Sequence, residues 1–306
     1  MGQHLPREPE APLRTEGPRE VERVVPAIRT LEGAGFLVHR PFPKHGLMLI
    51  DPFLLLDEMG PIDLAPGEAQ GAPDHPHRGF ETVTYLLSGE FQHEDSQGHR
   101  ATLAPGDVQW MTAGDGVIHS EMPSPALQQS GGRVHGFQLW VNLPRQDKRM
   151  HPRYQDKKAA QLPTARSADG KVWARVLAGE ALGQKAAIDT RTPITYVHFK
   201  LEPHARVTQP IDPAHNVFAY VVDGSASYGP THTQARPHDL VLFKRGGSEV
   251  TFESGDAPAE LLLIGGQPLN EPVARHGPFV MNTQEELHQA FDDFHAGRFG
   301  QIPPEH

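Results

Sequence analysis

The sequence predicts an all-β protein built as two similar units, and three observations carry that reading. Thirty glycines and thirty prolines are scattered without a period through 306 residues, which suits many short strands joined by turns rather than long helices or collagen. Short β-branched and aromatic runs recur between turn signals such as "SGE", "APGD" and "AGDG", at the spacing of an antiparallel sandwich or barrel. The pattern then occurs a second time. "YLLSGEFQHE" from Tyr85 resembles "YVVDGSASYG" from Tyr220, and Pro105 and Asp107 match Pro237 and Asp239.

In chain order, residues 1–20 are rich in Pro, Glu and Arg and read as a mobile tail. Residues 21–145 hold the first unit, with strand-like stretches "GFLVHRPF", "ETVTYLLSG", "DVQWMT", "GVIHSEM" and "RVHGFQLWVNL". Residues 146–170 turn polar and read as a linker. Residues 171–306 hold the second unit, with "VWARVLAG", "ITYVHFKLEP", "VFAYVVDGSASYG", "DLVLFK", "SEVTFES" and "AELLLIGG". Near the end, Thr283 and Glu286 make a capping box, and Leu287, Ala290, Phe291 and Phe294 follow as a helical stripe. Gly297 stands where a C-cap glycine belongs. The stripe is expected to pack on the barrels.

Composition excludes several functions. A net charge of -10 argues against a direct nucleic-acid surface, which needs clustered Lys and Arg. It leaves room for a role on DNA through a protein partner. The absence of cysteine excludes disulfides, thiolate catalysis, iron–sulfur clusters and cysteine zinc sites. The N-terminus has no apolar h-region, and Pro6 stands where a myristoylation motif wants Ser or Thr. No apolar run approaches the ~20 residues that span a bilayer. A cytoplasmic protein without membrane contact is the expectation.

Two short motifs carry the chemistry. "HPH" places His75 and His77 at i, i+2, and "HSE" does the same for His119 and Glu121. On strands, that spacing aims each pair at one face. Inside a barrel, unpaired ionisable groups are costly, and a metal ion compensates. Three imidazoles and a carboxylate, without sulfur, suit iron, manganese, cobalt, nickel or copper, with zinc also acceptable. On an octahedral ion they leave two positions open. Glu81 shares parity with His75 and His77 and competes with Glu121, as a ligand or as an acceptor that orients an imidazole. A β-bulge at Gly79 would break that parity, so the residues alone leave the choice open. His93, His99, His135 and His151 read as ordinary polar or surface histidines.

Longer stretches carry a resemblance. "DPFLLLDEMG", "DHPHRGFETVTYLLSGE", "PGDVQWMTAGDGVIHSEMP", "GFQLWVNLP" and "GPFVMNTQEEL" together resemble the pirin family of bicupins, from about residue 20 to 300. The resemblance implies two stacked cupin barrels and one divalent metal, usually iron(II), in the N-terminal barrel. It implies His75, His77, His119 and Glu121 as ligands, which leaves Glu81 to orient an imidazole. The second barrel departs from that pattern: aligned on the repeat, Pro210, Asp212 and Asn216 replace His75, His77 and Glu81, with Thr251 and Glu253 for the second pair. It is expected to be structural.

Members of the family are associated with quercetin 2,3-dioxygenase activity. The leading expectation is therefore a metal-dependent dioxygenase that takes a flavonol and dioxygen, with Glu121 as a base for the substrate hydroxyl. A second reading is a metal- or redox-dependent regulatory protein that binds a transcription factor or metabolic enzyme. A third is a cupin isomerase.

Overall fold

The computed structural model describes residues 16–304. The β-branched and aromatic runs form strands whose side chains alternate between two faces. In Phe80–Ser88, Val83 and Tyr85 join an apolar core on one side, while Thr84 and Leu86 face a cavity on the other.

Seven antiparallel strands form the larger sheet of the first barrel. Their spatial order is Arg153–Lys157, Val108–Thr112, Phe80–Ser88, Gly132–Asn142, Phe53–Leu64, Phe36–Phe42 and Ile28–Glu32. A four-stranded sheet faces it, ordered Ala72–His77, Val117–Pro123, Phe91–Asp95 and Arg100–Leu103. The second barrel is a nine-stranded sheet organised by two long strands, Asn216–Tyr228 and Glu249–Gly266.

One apolar cluster joins the barrels. Val83, Tyr85, Trp110 and Phe137 from the first pack with Tyr196, Phe218, Tyr220 and Ile264 from the second. Each fully buried side chain of this size contributes roughly 1.5–3 kcal/mol relative to exposure. A polar joint crosses the same seam at Glu58, whose side chain is fully buried. Its Oε1 accepts from His135 Nε2 at 2.9 Å. Its Oε2 accepts from the Tyr220 hydroxyl at 2.7 Å and from His238 Nδ1 at 2.6 Å. The carboxylate is thus satisfied from both barrels, as a buried charge requires.

Sheet membership crosses the boundaries expected at 20, 145 and 170. Of the stretch read as a mobile tail, residues 1–15 lie outside the described residues, but Pro18 and Arg19 are docked. Arg19 is buried, and its guanidinium donates to the carbonyls of Gly247, His215 and Asp212 at 3.2, 2.8 and 2.6 Å. The next strand, Val21–Pro26, pairs with Asp239–Phe243 in the second barrel. The polar stretch after 145 contributes an edge strand to each barrel: Arg153–Lys157 pairs with Val108–Thr112, and Thr164–Arg166 with Trp173–Arg175. Its polarity is that of strands with one side facing water.

The C-terminus returns to the first barrel. The helix Gln284–His295 begins in the expected capping box, with Thr283 Oγ1 accepting from Glu286 N and Glu286 Oε2 accepting from Thr283 N. Its Leu287, Ala290, Phe291 and Phe294 pack with Phe279, Phe299 and Ile118, the last from the first barrel. Arg78, 2% exposed, locks this arrangement by donating to Asp293 Oδ2 at 2.7 Å and to Asp115 O at 2.6 Å. Its guanidinium lies 4.6 Å from the Phe299 ring centre. Among the described residues, no helix is long and apolar enough to cross a membrane.

Candidate metal centre

Pairing of Ala72–His77 with Val117–Pro123 sets His75 directly opposite His119, and the i, i+2 alternation brings His77 to the same point. The ring centres are 4.8 Å apart for His75 and His77, 4.2 Å for His75 and His119, and 4.9 Å for His77 and His119. One ring nitrogen of each lies within 4.8 Å of the others.

The other nitrogens are already engaged. His75 Nδ1 donates to Pro73 O at 2.7 Å, and His77 Nδ1 to Pro278 O at 3.4 Å. A carbonyl only accepts, so in both rings Nδ1 carries a proton and Nε2 is the atom left to face an ion. His119 Nδ1 lies 2.8 Å from His93 Nε2, and His119 Nε2 is buried without a partner. Burial, reinforced by the neighbouring imidazoles, holds His77 and His119 well below the usual histidine range. Neutral imidazoles with free Nε2 atoms are what a metal ion requires.

Glu121 lines the same cavity. The Thr84 hydroxyl is 2.9 Å from its Oε1, and Gln138 Nε2 donates to its Oε2 at 3.1 Å. Thr84 Oγ1 is also 2.7 Å from Gln138 Oε1 and has one proton to give. Burial raises the proton affinity of Glu121, against the opposing influence of His75 and these hydrogen bonds. Glu121 stands outside the three-histidine cluster and beside it.

Glu81 is elsewhere. Gly79 adopts φ +86°, a conformation closed to most side chains, and a Cβ there would collide with the Val280 carbonyl. The break shifts the parity, so Thr84 faces the cavity while Glu81 turns to Thr112, whose hydroxyl donates to it at 2.6 Å. The expected contact from Glu81 to an imidazole is replaced by this one.

His93 is the residue that reading by motif missed. It is buried, and burial lowers its pKa to about 3, so it stays neutral and can accept from His119 Nδ1. That bond directs the His119 lone pair to Nε2. The signal in "FQHED" was alternation: His93 and Asp95 are both buried. The pairing of Phe91–Asp95 with Val117–Pro123 is long-range and does not show in the motif.

The cavity encloses about 760 Å³, a size suited to a small organic molecule. Leu37, Leu55, Leu86 and Trp140 give it apolar walls, and Arg40 and Arg275 add charge. Arg275 comes from the C-terminal segment and lies 4.8 Å from the Trp140 ring centre. The donor set, three imidazoles with a carboxylate nearby and no sulfur, fits a first-row transition dication. The orphaned His119 Nε2 is the observation that asks for one.

The family model Pirin matches residues 35–141, and that of the Pirin C-terminal cupin domain matches residues 196–300. A pirin-like protein of Solanum lycopersicum is 45% identical over 285 residues, covering 92% of this chain and 94% of its own. Pirin of Homo sapiens is 44% identical over 272 residues, covering 88% and 90%. A crystal structure of quercetin 2,3-dioxygenase from Acinetobacter baumannii superimposes with a TM-score of 0.88 at 36% identity, covering 94% of this chain and 100% of that one. With both barrels matched and this identity sustained over most of the chain, the chain belongs to the pirin family, as a bicupin.

Proposed function

We infer that this protein is a metal-dependent dioxygenase that opens the ring of a flavonol such as quercetin. His75, His77, His119 and Glu121 would hold one divalent ion, iron(II) by preference. The observation that carries the reading is the convergence of three imidazoles, His75, His77 and His119, at the edge of a cavity of about 760 Å³ that His75, His77 and Glu121 line. The similarity to a structure solved as a quercetin 2,3-dioxygenase supports the substrate class.

Each residue then has a task. Leu37, Leu55, Leu86 and Trp140 accept a flat aromatic body and exclude water. Glu121 takes the proton of the substrate hydroxyl, its burial having already raised its proton affinity. Thr84 and Gln138 hold that carboxylate in place, and His93 holds His119. The metal, when bound, favours the deprotonated hydroxyl and makes the ring electron-rich.

The test is loss of the flavonol absorbance band together with oxygen uptake, measured on protein loaded with iron, manganese, cobalt, nickel or copper. Activity should follow metal content and vanish with a chelator. In Glu121→Gln, turnover per bound ion should fall more than metal content does; equal turnover per ion would remove the base role. If no loaded form consumes quercetin, the regulatory reading takes precedence.

A further inference from the structure

A second cavity, of about 420 Å³, lies in the seam between the barrels. Tyr85 and Leu87 line it, so it sits on the face of strand Phe80–Ser88 opposite Thr84. Its character differs from that of the metal cavity. Arg166, Lys171, Arg175 and Lys200 reach it, against two carboxylates, Glu202 and Glu260.

The register shows how these cations are assembled. Trp173 pairs across the sheet with Arg166 on one side and Lys200 on the other. Its i-2 and i+2 neighbours are Lys171, just before the strand, and Arg175 within it. Four cations therefore surround one indole, in a chain whose net charge is -10. Arg175 and Lys200 lie over that ring, 5.3 and 5.9 Å from its centre.

Their charge exceeds that of the two carboxylates. Glu260 accepts from His198 Nε2 at 2.7 Å and lies 3.3 Å from Lys200 Nζ. Arg166, Lys171 and Arg175 are in no ion pair among the described residues. Arg175 makes only long contacts, 3.4 Å from Nη1 to both Tyr85 Oη and Gly106 O. Its Nε is buried with no hydrogen-bond partner. Nη1 is held only by those two long contacts, so an oxyanion in the cleft would give the guanidinium the short, charge-assisted hydrogen bonds it lacks.

We propose that this inter-barrel cleft is a second ligand site, for a nucleotide-class phosphorylated molecule bearing two or more negative charges. An arginine fork and flanking lysines match the oxygens of a diphosphate. The cavity volume is at the lower end of the roughly 300–1,000 Å³ of small-molecule sites, ample for more than a bare phosphate. Trp173, half-buried, offers a surface for the organic part.

The experiment is calorimetric titration of the full-length protein with ADP, pyrophosphate, inorganic phosphate and adenosine. ADP is expected to bind more tightly than pyrophosphate, and adenosine not at all. Lys171→Gln and Arg175→Gln should each weaken ADP binding by about tenfold, the equivalent of ~1.4 kcal/mol. Lys171 is exposed, so its variant tests the charge without disturbing the fold. Prior chelation of the metal should leave the affinity unchanged. No heat from ADP at about 10 mM, far weaker than a millimolar site, would overturn the proposal. So would equal affinity in both variants, adenosine binding as well as ADP, or loss of binding on chelation.

Discussion

The two barrels share a strand plan and differ in what fills them. Inside the second, Val197, Phe199, Val217, Ala219, Val221, Tyr228 and Phe252 are all buried in one apolar cluster. Inside the first, the corresponding space is a cavity of about 760 Å³ with His75 and His77 in its wall and His119 behind them. Thr251, aligned on His119, lies opposite Thr208, while the neighbours that turn to the interior are Val207, Val250 and Phe252. One architecture thus serves as a solid core or as a vessel. A packed interior gains dispersion and hydrophobic energy that the vessel forgoes, and the second barrel braces the first through the cluster between them.

The sharpest way to break this contrast is to remove a ligand from the vessel. His119→Ala should abolish stoichiometric metal binding, by far the largest effect expected, while the circular dichroism of the β core is retained. Metal analysis after dialysis would show it, and a variant that still bound one ion tightly would end the assignment. The converse change places an imidazole in the solid barrel. Phe252→His removes a ring 1% exposed and buries a polar group in its place, so denaturant titration should show a loss of about 3–5 kcal/mol. No metal should be gained, because the new imidazole would stand in a packed apolar cluster without other ligands beside it.

A smaller effect is expected from His93→Leu, which removes the acceptor for His119 Nδ1 while keeping the site apolar. Partners of this kind typically contribute 10–100-fold to metal affinity. Competition with a chelator of known affinity measures it, and an unchanged affinity would reduce His93 to packing.

The mildest test addresses the joint between the barrels. Hydrogen bonds from His135, His238 and Tyr220 outweigh the burial that works against them and depress the Glu58 pKa. Its stabilisation is therefore present above the unfolded value, about 4.3, and is lost as pH falls through the lower folded value. The hydrogen bond to Glu58 raises the His238 pKa. Its contribution is complete below the unfolded value, about 6.5, and is lost as pH rises through the higher folded value. The stability difference between parent and Glu58→Gln should accordingly be largest between those limits and shrink on both sides, measured by urea denaturation across pH.

Much of this was legible in short stretches of sequence. "HPH" was local, because an unbroken strand puts i and i+2 on one face, whereas in "HSE" the pairing slips between His119 and Glu121 and leaves Glu121 beside the three histidines rather than among them. The capping box at Thr283 and Glu286 was equally local. Glu81 stayed ambiguous because a parity count holds only along an unbroken strand, and the φ of +86° at Gly79 breaks it. His93 was hidden because its role depends on a strand pairing, which joins residues distant in the chain. The same holds for Val21–Pro26, whose alternation announces a strand without saying which barrel receives it.

The exchanged ends also set a timetable for synthesis. Arg78 is made early, yet its partner Asp293 lies 215 residues downstream. At about 5–20 residues per second, a ribosome takes roughly 10–40 s to cover that distance. Throughout that interval Ile118 and the buried Arg78 guanidinium wait for the helix and for Phe299 to cover them. The first half to leave the ribosome is the last to be finished, and a nascent chain halted before residue 279 would present an open first barrel to the cell.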